Sequence, residues 1–184
     1  MRTFIAFALP EAGLAAVRAM QTELMARRFR VRWVRPDNIH LTLKFLGDVE
    51  PREVGRIAAA LGAAALGHTP LRLAVRAAGV FPDIRRPRVI WAGLSGQVEA
   101  LNRLHRSIDE KLATLGYAGE TRPFSGHLPL GRARAKIDPK QLAAALAALE
   151  TCVSTPFTAD TLVLFKSDLK PSGAVYTKLE QIFL

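Results

Sequence analysis

One short segment, residues 39–45, alternates apolar and polar side chains without interruption. One face of this segment is apolar and is formed by Ile39, Leu41, Leu43 and Phe45. The other face is polar and is formed by His40, Thr42 and Lys44. Because successive side chains of a β-strand point to opposite sides, the pattern predicts a strand with one face in a core. A histidine and a threonine are therefore expected to project together from its other face.

A second histidine strand is predicted at residues 126–134, where His127-Leu128-Pro129-Leu130 repeats the spacing. Helix, histidine strand, helix and strand follow one another around His40 and again around His127. The repeat is one of pattern, because the two surrounding sequences share little similarity. We therefore expect an α+β fold with two pseudo-symmetric lobes, each an antiparallel sheet with helices packed outside, enclosing a central cleft. Residues 1–184 are expected to form a single two-lobed domain.

The remaining elements are predicted from apolar spacing and from turn residues. Helices are expected at residues 11–24, 51–66, 98–115 and 139–149. Further strands are expected at residues 4–9, 27–35, 71–75, 88–94, 161–166 and 174–183. The turn-rich stretch 81–87 separates two of these strands.

Charge and cysteine content restrict the partners and the compartment. The 184 residues carry 26 Lys and Arg against 16 Asp and Glu, a formal charge of +10. Such a surplus favours a polyanionic partner such as RNA or DNA, although an arginine-rich composition can also reflect genome-wide amino-acid usage. The single cysteine, Cys152, allows neither an internal disulfide nor a cysteine-based zinc site, which is typical of a reducing cytoplasm.

No segment of the sequence is predicted to enter a membrane. The first apolar run is short and is cut off by Pro10 and Glu11, so it predicts a core strand rather than a signal peptide. No later run approaches the roughly 18 apolar residues that a spanning helix needs. We expect a cytoplasmic monomer.

The two histidines suit phosphodiester cleavage. Such a reaction needs one group that removes a proton from water and another that donates a proton to the leaving oxygen, and histidine can do both near neutral pH. A hydroxyl beside each histidine can bind the non-bridging oxygens. Neither His40 nor His127 has a carboxylate at metal-ligand spacing, so we expect neither a metal nor another cofactor.

The sequence resembles the RNA 2′,3′-cyclic phosphodiesterases of the two-histidine phosphoesterase superfamily, also called 2′-5′ RNA ligases. The resemblance covers nearly the whole chain, and its most specific part is the first histidine motif with its flanks. The matching stretches are residues 2–7 (RTFIAF), 38–47 (NIHLTLKFLG), 87–93 (PRVIWAG), 122–128 (RPFSGHL) and 167–184.

The resemblance implies a role for each candidate residue. His40 would be the general acid toward the leaving 3′ oxygen, and His127 would be the base for water. Thr42 and Arg132 would hold phosphate oxygens, and Phe45 would line the nucleotide pocket. The product would be a 2′-phosphate on an RNA end, tRNA-like or a shorter oligoribonucleotide. Reversible 2′-5′ ligation is implied by the resemblance alone.

The second motif departs from the family pattern His-x-Thr/Ser-x at Pro129. Proline removes both the hydroxyl and a backbone N–H, and it predicts an edge position or a bulge in the strand. Loss of one preorganised oxyanion donor costs on the order of 10²–10³ in rate. The sequence leaves three hypotheses open: a weakened RNA-end hydrolase, a silent binding protein for RNA ends or nucleotides, and a phosphodiesterase for a small cyclic nucleotide.

Basic residues cluster near both histidine motifs. They are Arg27, Arg28, Arg30, Arg32 and Arg35, then Arg85, Arg86 and Arg88, then Arg132, Arg134 and Lys136. Any one of them can be an ordinary solvated charge, but together they are expected to flank the cleft and to guide RNA phosphates, so that binding weakens steeply with salt. Trp33 and Trp91 are expected to lie in the core rather than to stack on bases.

Overall fold

Two antiparallel sheets form the framework of the protein. The computed structural model describes residues 1–119, 123–171 and 173–184. Sheet A contains, in spatial order, β3 (His40–Asp48), β1 (Arg2–Ala8), β8 (Thr161–Lys170) and β9 (Gly173–Phe183). Sheet B contains β2 (Val31–Trp33), β6 (Leu128–Ala133), β5 (Val89–Gly96), β4 (Leu71–Phe81) and β7 (Phe157–Ala159). The predicted α+β class with two antiparallel sheets is confirmed.

Four helices complete the described fold: α1 (Glu11–Ala26), α2 (Val54–Ala65), α3 (Val98–Ala113) and α4 (Pro139–Ala147). One hydrophobic core contains residues of both sheets and of all four helices. Asp138 is the N-cap residue of α4, since its carboxylate accepts hydrogen bonds from the backbone N–H groups of Lys140 and Gln141. The face of each sheet that points away from this shared core is called its open face below.

The two sheets exchange strands between the halves of the chain. In sheet A, β1 lies between β3 from its own half and β8 from the other half. In sheet B, β5 lies between β6 from its own half and β4 from the other half. The predicted pseudo-symmetry is therefore present, but each lobe combines strands from both halves of the sequence: of the described strands, sheet A has two from each half, and sheet B has two from the first half and three from the second. The two histidine motifs occupy equivalent places beside the central strands β1 and β5.

Several predicted elements differ from the structure. Strands β4 and β8 extend to Phe81 and Lys170, beyond the predicted ends at residues 75 and 166. The strand predicted at residues 27–35 is reduced to β2, because Arg27 ends α1 and Arg28 adopts a positive φ of 56°. A left-handed residue breaks the extended conformation that a strand requires. The three-residue strand β7 was not predicted, since so short a segment leaves no usable alternation.

A bulge in β3 reverses the faces predicted for its second half. Ile5 pairs with Lys44 whereas Ala6 pairs with Thr42, so Leu43 is an extra residue. Lys44 is consequently only 2% exposed, and its ammonium group binds the Asp109 carboxylate of α3. The prediction that Lys44 shares the face of His40 and Thr42 is wrong.

A second bulge lies in β6. Trp91 pairs with Pro129 whereas Ile90 pairs with Gly131, so Leu130 is the extra residue. This confirms the irregularity predicted from Pro129, which cannot donate to the sheet. Arg132 pairs with Val89 and thereby lies on the same face as Trp91 and Pro129. Strict alternation would have placed Arg132 with Leu130, on the core side.

Candidate active site

His40 lies at the start of β3 on the open face of sheet A, among aromatic rings. It stacks on Phe4, with ring centroids 4.5 Å apart and an angle of 23° between the planes. The Tyr176 ring meets it edge-on at 5.2 Å, and Phe165 lies 6.2 Å away. These rings fix the orientation of the imidazole and remove water from one of its faces.

This aromatic surrounding changes the acidity of His40. Burial lowers the pKa of His40 from 6.5 to about 4, because the charged ring loses hydration, while a hydrogen bond with the backbone of Asn38 raises it in part. The imidazole of the free protein is therefore neutral at pH 7. A general acid must carry its proton, so this role requires the negative charge of a bound phosphate to raise the pKa again.

The lowered pKa of His40 predicts a pH-dependent stability. The unfolded chain, with a histidine pKa near 6.5, takes up the proton before the folded chain does, so stability falls as the pH drops from about 6.5 to about 4. The expected loss attributable to His40 is about 3 kcal/mol. Urea unfolding at pH 7 and pH 4 of the wild type and of His40→Asn measures it. Equal pH dependence in both proteins would contradict the assignment.

His127 lies immediately before β6, beside aromatic residues of sheet B. Its Nδ1 is 2.8 Å from the backbone carbonyl oxygen of Ser125. A carbonyl oxygen only accepts, so Nδ1 carries the hydrogen and Nε2 of the neutral ring keeps a free lone pair. Phe81 contacts the imidazole edge-on at 5.0 Å, and the Trp91 ring lies 6.4 Å away.

The two histidines share one mode of support. Each ring makes a hydrogen bond to the backbone of the residue two positions earlier, Asn38 for His40 and Ser125 for His127. Each also lies against aromatic rings on the open face of its sheet. This equivalence follows from the pseudo-symmetry of β3 and β6.

The chain segments that carry the histidines meet between the sheets. A Cβ atom on Gly126, the residue before His127, would lie 3.6 Å from Cδ1 of Leu41, the residue after His40. Strands β3 and β6 also lie next to each other. A cavity of about 370 Å³ borders His40 and is lined further by Asn38, Phe165 and Tyr176, but His127 does not line it.

The other predicted site residues occupy different positions around the histidines. Thr42 pairs with Ala6 and is half-buried, and its hydroxyl makes no hydrogen bond to another residue of the described ranges. Phe45 is 60% exposed, and its ring lies 5.9 Å from Phe4. The bulge at Leu43 therefore brings Phe45 to the His40 face, contrary to the alternation predicted from the sequence. Arg132 is exposed on the open face of sheet B.

Sequence reasoning missed the aromatic residues around both histidines. Trp91 was assigned to the core, yet its ring lies on the open face of sheet B, where a Cβ on Gly79 would come within 2.3 Å of it. Phe4 and Tyr176 contact His40 from strands remote in sequence. The pairing of Gly79 with Trp91 on neighbouring strands indicates that the indole covers the glycine. This pairing cannot be recognised in the sequence until the strand register is known.

The described residues contain neither a metal-binding cluster nor a membrane-spanning helix. Within residues 1–119, 123–171 and 173–184, no three His, Cys, Asp or Glu side chains come together in a way that could hold a metal ion. None of the helices in the same ranges has the length and apolar character needed to cross a membrane. Arg122, part of one matching stretch, and Ser172, part of the tail, lie outside the described residues.

The sequence profile of the family described as "LigT like Phosphoesterase" matches residues 7–91 and 93–176, and each segment contains one histidine motif. The chain belongs to this family.

Named relatives match this LigT-like chain over almost its full length. It is 32% identical over 180 residues to a protein from Methanothermobacter thermautotrophicus named RNA 2′,3′-cyclic phosphodiesterase, covering 98% of this chain and 97% of the relative. A Thermus thermophilus protein of the same name is 34% identical over 190 residues, covering 100% of this chain and 90% of the relative.

Solved structures show the same fold. The crystal structure of TT0787 from Thermus thermophilus has a TM-score of 0.80 and 30% identity, covering 100% of this chain and 98% of the other. Escherichia coli LigT complexed with 3′-AMP has a TM-score of 0.74 and 25% identity, covering 100% of this chain and 97% of the other.

Proposed function

We propose that this LigT-like chain hydrolyses the 2′,3′-cyclic phosphate at RNA ends to a 2′-phosphate, with His40 as general acid and His127 as general base. The observation that carries the proposal is the equivalent support of the two imidazoles, each fixed through a backbone hydrogen bond on a pseudo-symmetric strand. The names of the full-length relatives supply the substrate class.

The reaction assigns one proton transfer to each ring. Nε2 of His127 takes a proton from water, whose oxygen forms a new bond to phosphorus. The bond between phosphorus and the 3′ oxygen breaks, and His40 donates the proton that turns this oxygen into a hydroxyl. The acid and the base thereby exchange protonation states, and protons in solution restore them before the next cycle.

The remaining site residues are proposed to bind rather than to react. The Thr42 hydroxyl and the Arg132 guanidinium donate to non-bridging phosphate oxygens, where negative charge grows in the transition state. The exposed ring of Phe45, next to Phe4, offers a flat surface for the terminal base. We propose that residues 1–184 act as one unit, as a monomer in the cytoplasm, without a metal or other cofactor.

A product assay in EDTA tests the proposal. An oligoribonucleotide ending in a 2′,3′-cyclic phosphate is incubated with the protein, and the end group is identified by ³¹P NMR or mass spectrometry. We expect a 2′-phosphate, formed at the same rate with and without EDTA. A 3′-phosphate product would contradict the assigned roles, and loss of turnover in EDTA would contradict metal independence.

Pro129 supports a second candidate function, a binding protein for RNA ends without turnover. The missing hydroxyl leaves the second histidine without the partner that the family pattern supplies. Absence of any end-group change in the same assay, together with binding of the cyclic end, would favour this alternative.

A further inference from the structure

Four arginines form two directly opposed pairs on the open face of sheet B. Arg32 of β2 pairs with Arg132 of β6. The next pair in the same register is Arg30 with Arg134, joined by a backbone hydrogen bond of 2.8 Å from N–H of Arg134 to the carbonyl oxygen of Arg30. All four side chains are exposed. These residues, Arg30, Arg32, Arg132 and Arg134, are called the arginine ladder.

Without a bound anion, the arginine ladder destabilises the folded protein. Like charges directly opposite each other on neighbouring strands repel and destabilise a sheet. In the described part of the chain, no carboxylate lies within ion-pair distance of any of the four guanidinium groups. Surface arginines elsewhere do have partners, as in the pairs Arg18–Glu11 and Arg56–Glu53. The ladder is thus a concentrated positive charge that an external anion can neutralise.

The ladder begins beside the proposed reaction centre. Arg132 lies in one cross-strand row with Val89 and Phe81, and the Phe81 ring contacts His127. Arg134 and Arg30 form the following row, farther from the histidine. Beyond them, a cavity of about 560 Å³ has a basic lining of Arg85, Arg86, Arg88, Arg134 and Lys136.

We propose that the arginine ladder binds the backbone phosphates of the nucleotides that precede the reacting RNA end. This inference rests on the proposed function, because a cyclic phosphate occupies a 3′ end and every other nucleotide of the substrate lies on its 5′ side. Alternate residues of a strand are roughly 6.6 Å apart, so the two rows offer successive cationic contacts along an extended polyanion. The preferred substrate is then an oligoribonucleotide rather than a cyclic mononucleotide.

The double variant Arg30→Gln/Arg134→Gln tests the arginine ladder. It leaves Arg132 unchanged, because the proposed function already assigns that residue to binding of the reacting phosphate. Two substrates are compared: a 2′,3′-cyclic mononucleotide and a ten-nucleotide RNA with the same cyclic end. We expect the ratio of kcat/KM for the RNA to kcat/KM for the mononucleotide to fall about tenfold. The matched control Arg103→Gln/Arg106→Gln, which removes two exposed arginines of α3, is expected to retain the wild-type ratio.

Binding measurements separate the ladder from the catalytic proposal. Fluorescence anisotropy with a ten-nucleotide RNA ending in a 2′-phosphate gives Kd at several salt concentrations without requiring turnover. The slope of log Kd against log salt should decrease by about 0.7 for each lost phosphate contact. An unchanged ratio or an unchanged slope in the double variant would overturn the ladder while leaving hydrolysis intact. A wild type that turns over neither substrate would overturn the proposed function, and the slope would still decide on the ladder.

The thermal stability of the same double variant shows whether the substitutions act by destabilising the fold rather than by removing contacts with RNA. Removal of two mutually repelling charges should leave the Tm unchanged or raise it at low salt, because no ion pair is broken. A lower RNA preference together with an undiminished Tm is the result expected from a binding surface. A marked fall in Tm would show that the arginines support the fold instead, and would overturn the proposal.

Discussion

His40→Ala and His127→Ala are each expected to lower kcat for a 2′,3′-cyclic RNA end by about 10²–10⁴. Each substitution removes one of the two proton transfers, and a positioned acid or base typically contributes that factor. The backbone hydrogen bonds at Asn38 and Ser125 mean that the rings are already oriented, so their loss is not offset by a mobile neighbour. Single-turnover assays with excess protein measure the chemical step.

The double variant and a folding control complete this experiment. Because both histidines act in one transition state, the double substitution should cost little more than the more damaging single one. His40→Ala also leaves a space beside Phe4, so its circular dichroism spectrum and its Tm must be compared with those of the wild type. Retention of more than a tenth of the wild-type kcat in a folded single variant would contradict the acid–base pair.

The pH dependence of the residual activity distinguishes the two roles. In His127→Ala, His40 is the one proposed catalytic histidine that remains, and its pKa in the free protein is about 4. If His40 is the acid, the protonated fraction falls tenfold per pH unit above this value, and kcat/KM should fall in parallel between pH 5 and pH 7. If kcat/KM is constant over this range, His40 acts as the base and the two roles are reversed.

The sequence was sufficient for the histidine strands but not for the faces that their later residues occupy. Leu41 and Leu43 indicated the core side correctly, and both are buried. Alternation then placed Lys44 beside His40, whereas the bulge at Leu43 turns Lys44 inward and Phe45 outward. An extra residue in a strand depends on its pairing partner, here β1, so a pattern within the strand itself cannot reveal it.

The same limitation applies to the second half of the site. Pro129 indicated an irregular strand, but only the pairing of Trp91 and Ile90 shows that Leu130 is the extra residue. That single shift places Arg132 on the open face, where resemblance to the family expected a phosphate ligand. The neighbours of His40, Phe4 and Tyr176, come from the two ends of the chain and meet only through the exchange of strands.

Pro129→Thr is expected to raise kcat by about ten- to a hundredfold. Position 129 faces the same side as Arg132 and pairs with Trp91, so a threonine there would present a hydroxyl beside His127. The Trp91 indole N–H cannot substitute for this donor, because its nitrogen is fully buried and finds no hydrogen-bond partner among the described residues. A preorganised donor to developing negative charge typically contributes 10²–10³, which sets the upper range.

Pro129→Ala is the matched control, since it restores the backbone N–H without the hydroxyl. A rise in Pro129→Thr alone assigns the effect to the side chain, whereas an equal rise in both variants assigns it to the backbone or to relaxation of the bulge at Leu130. If neither variant changes kcat, another group already supplies the phosphate contact. Arg32, directly opposite Arg132, is then the residue to substitute next, because its guanidinium lies in the row adjacent to the missing hydroxyl.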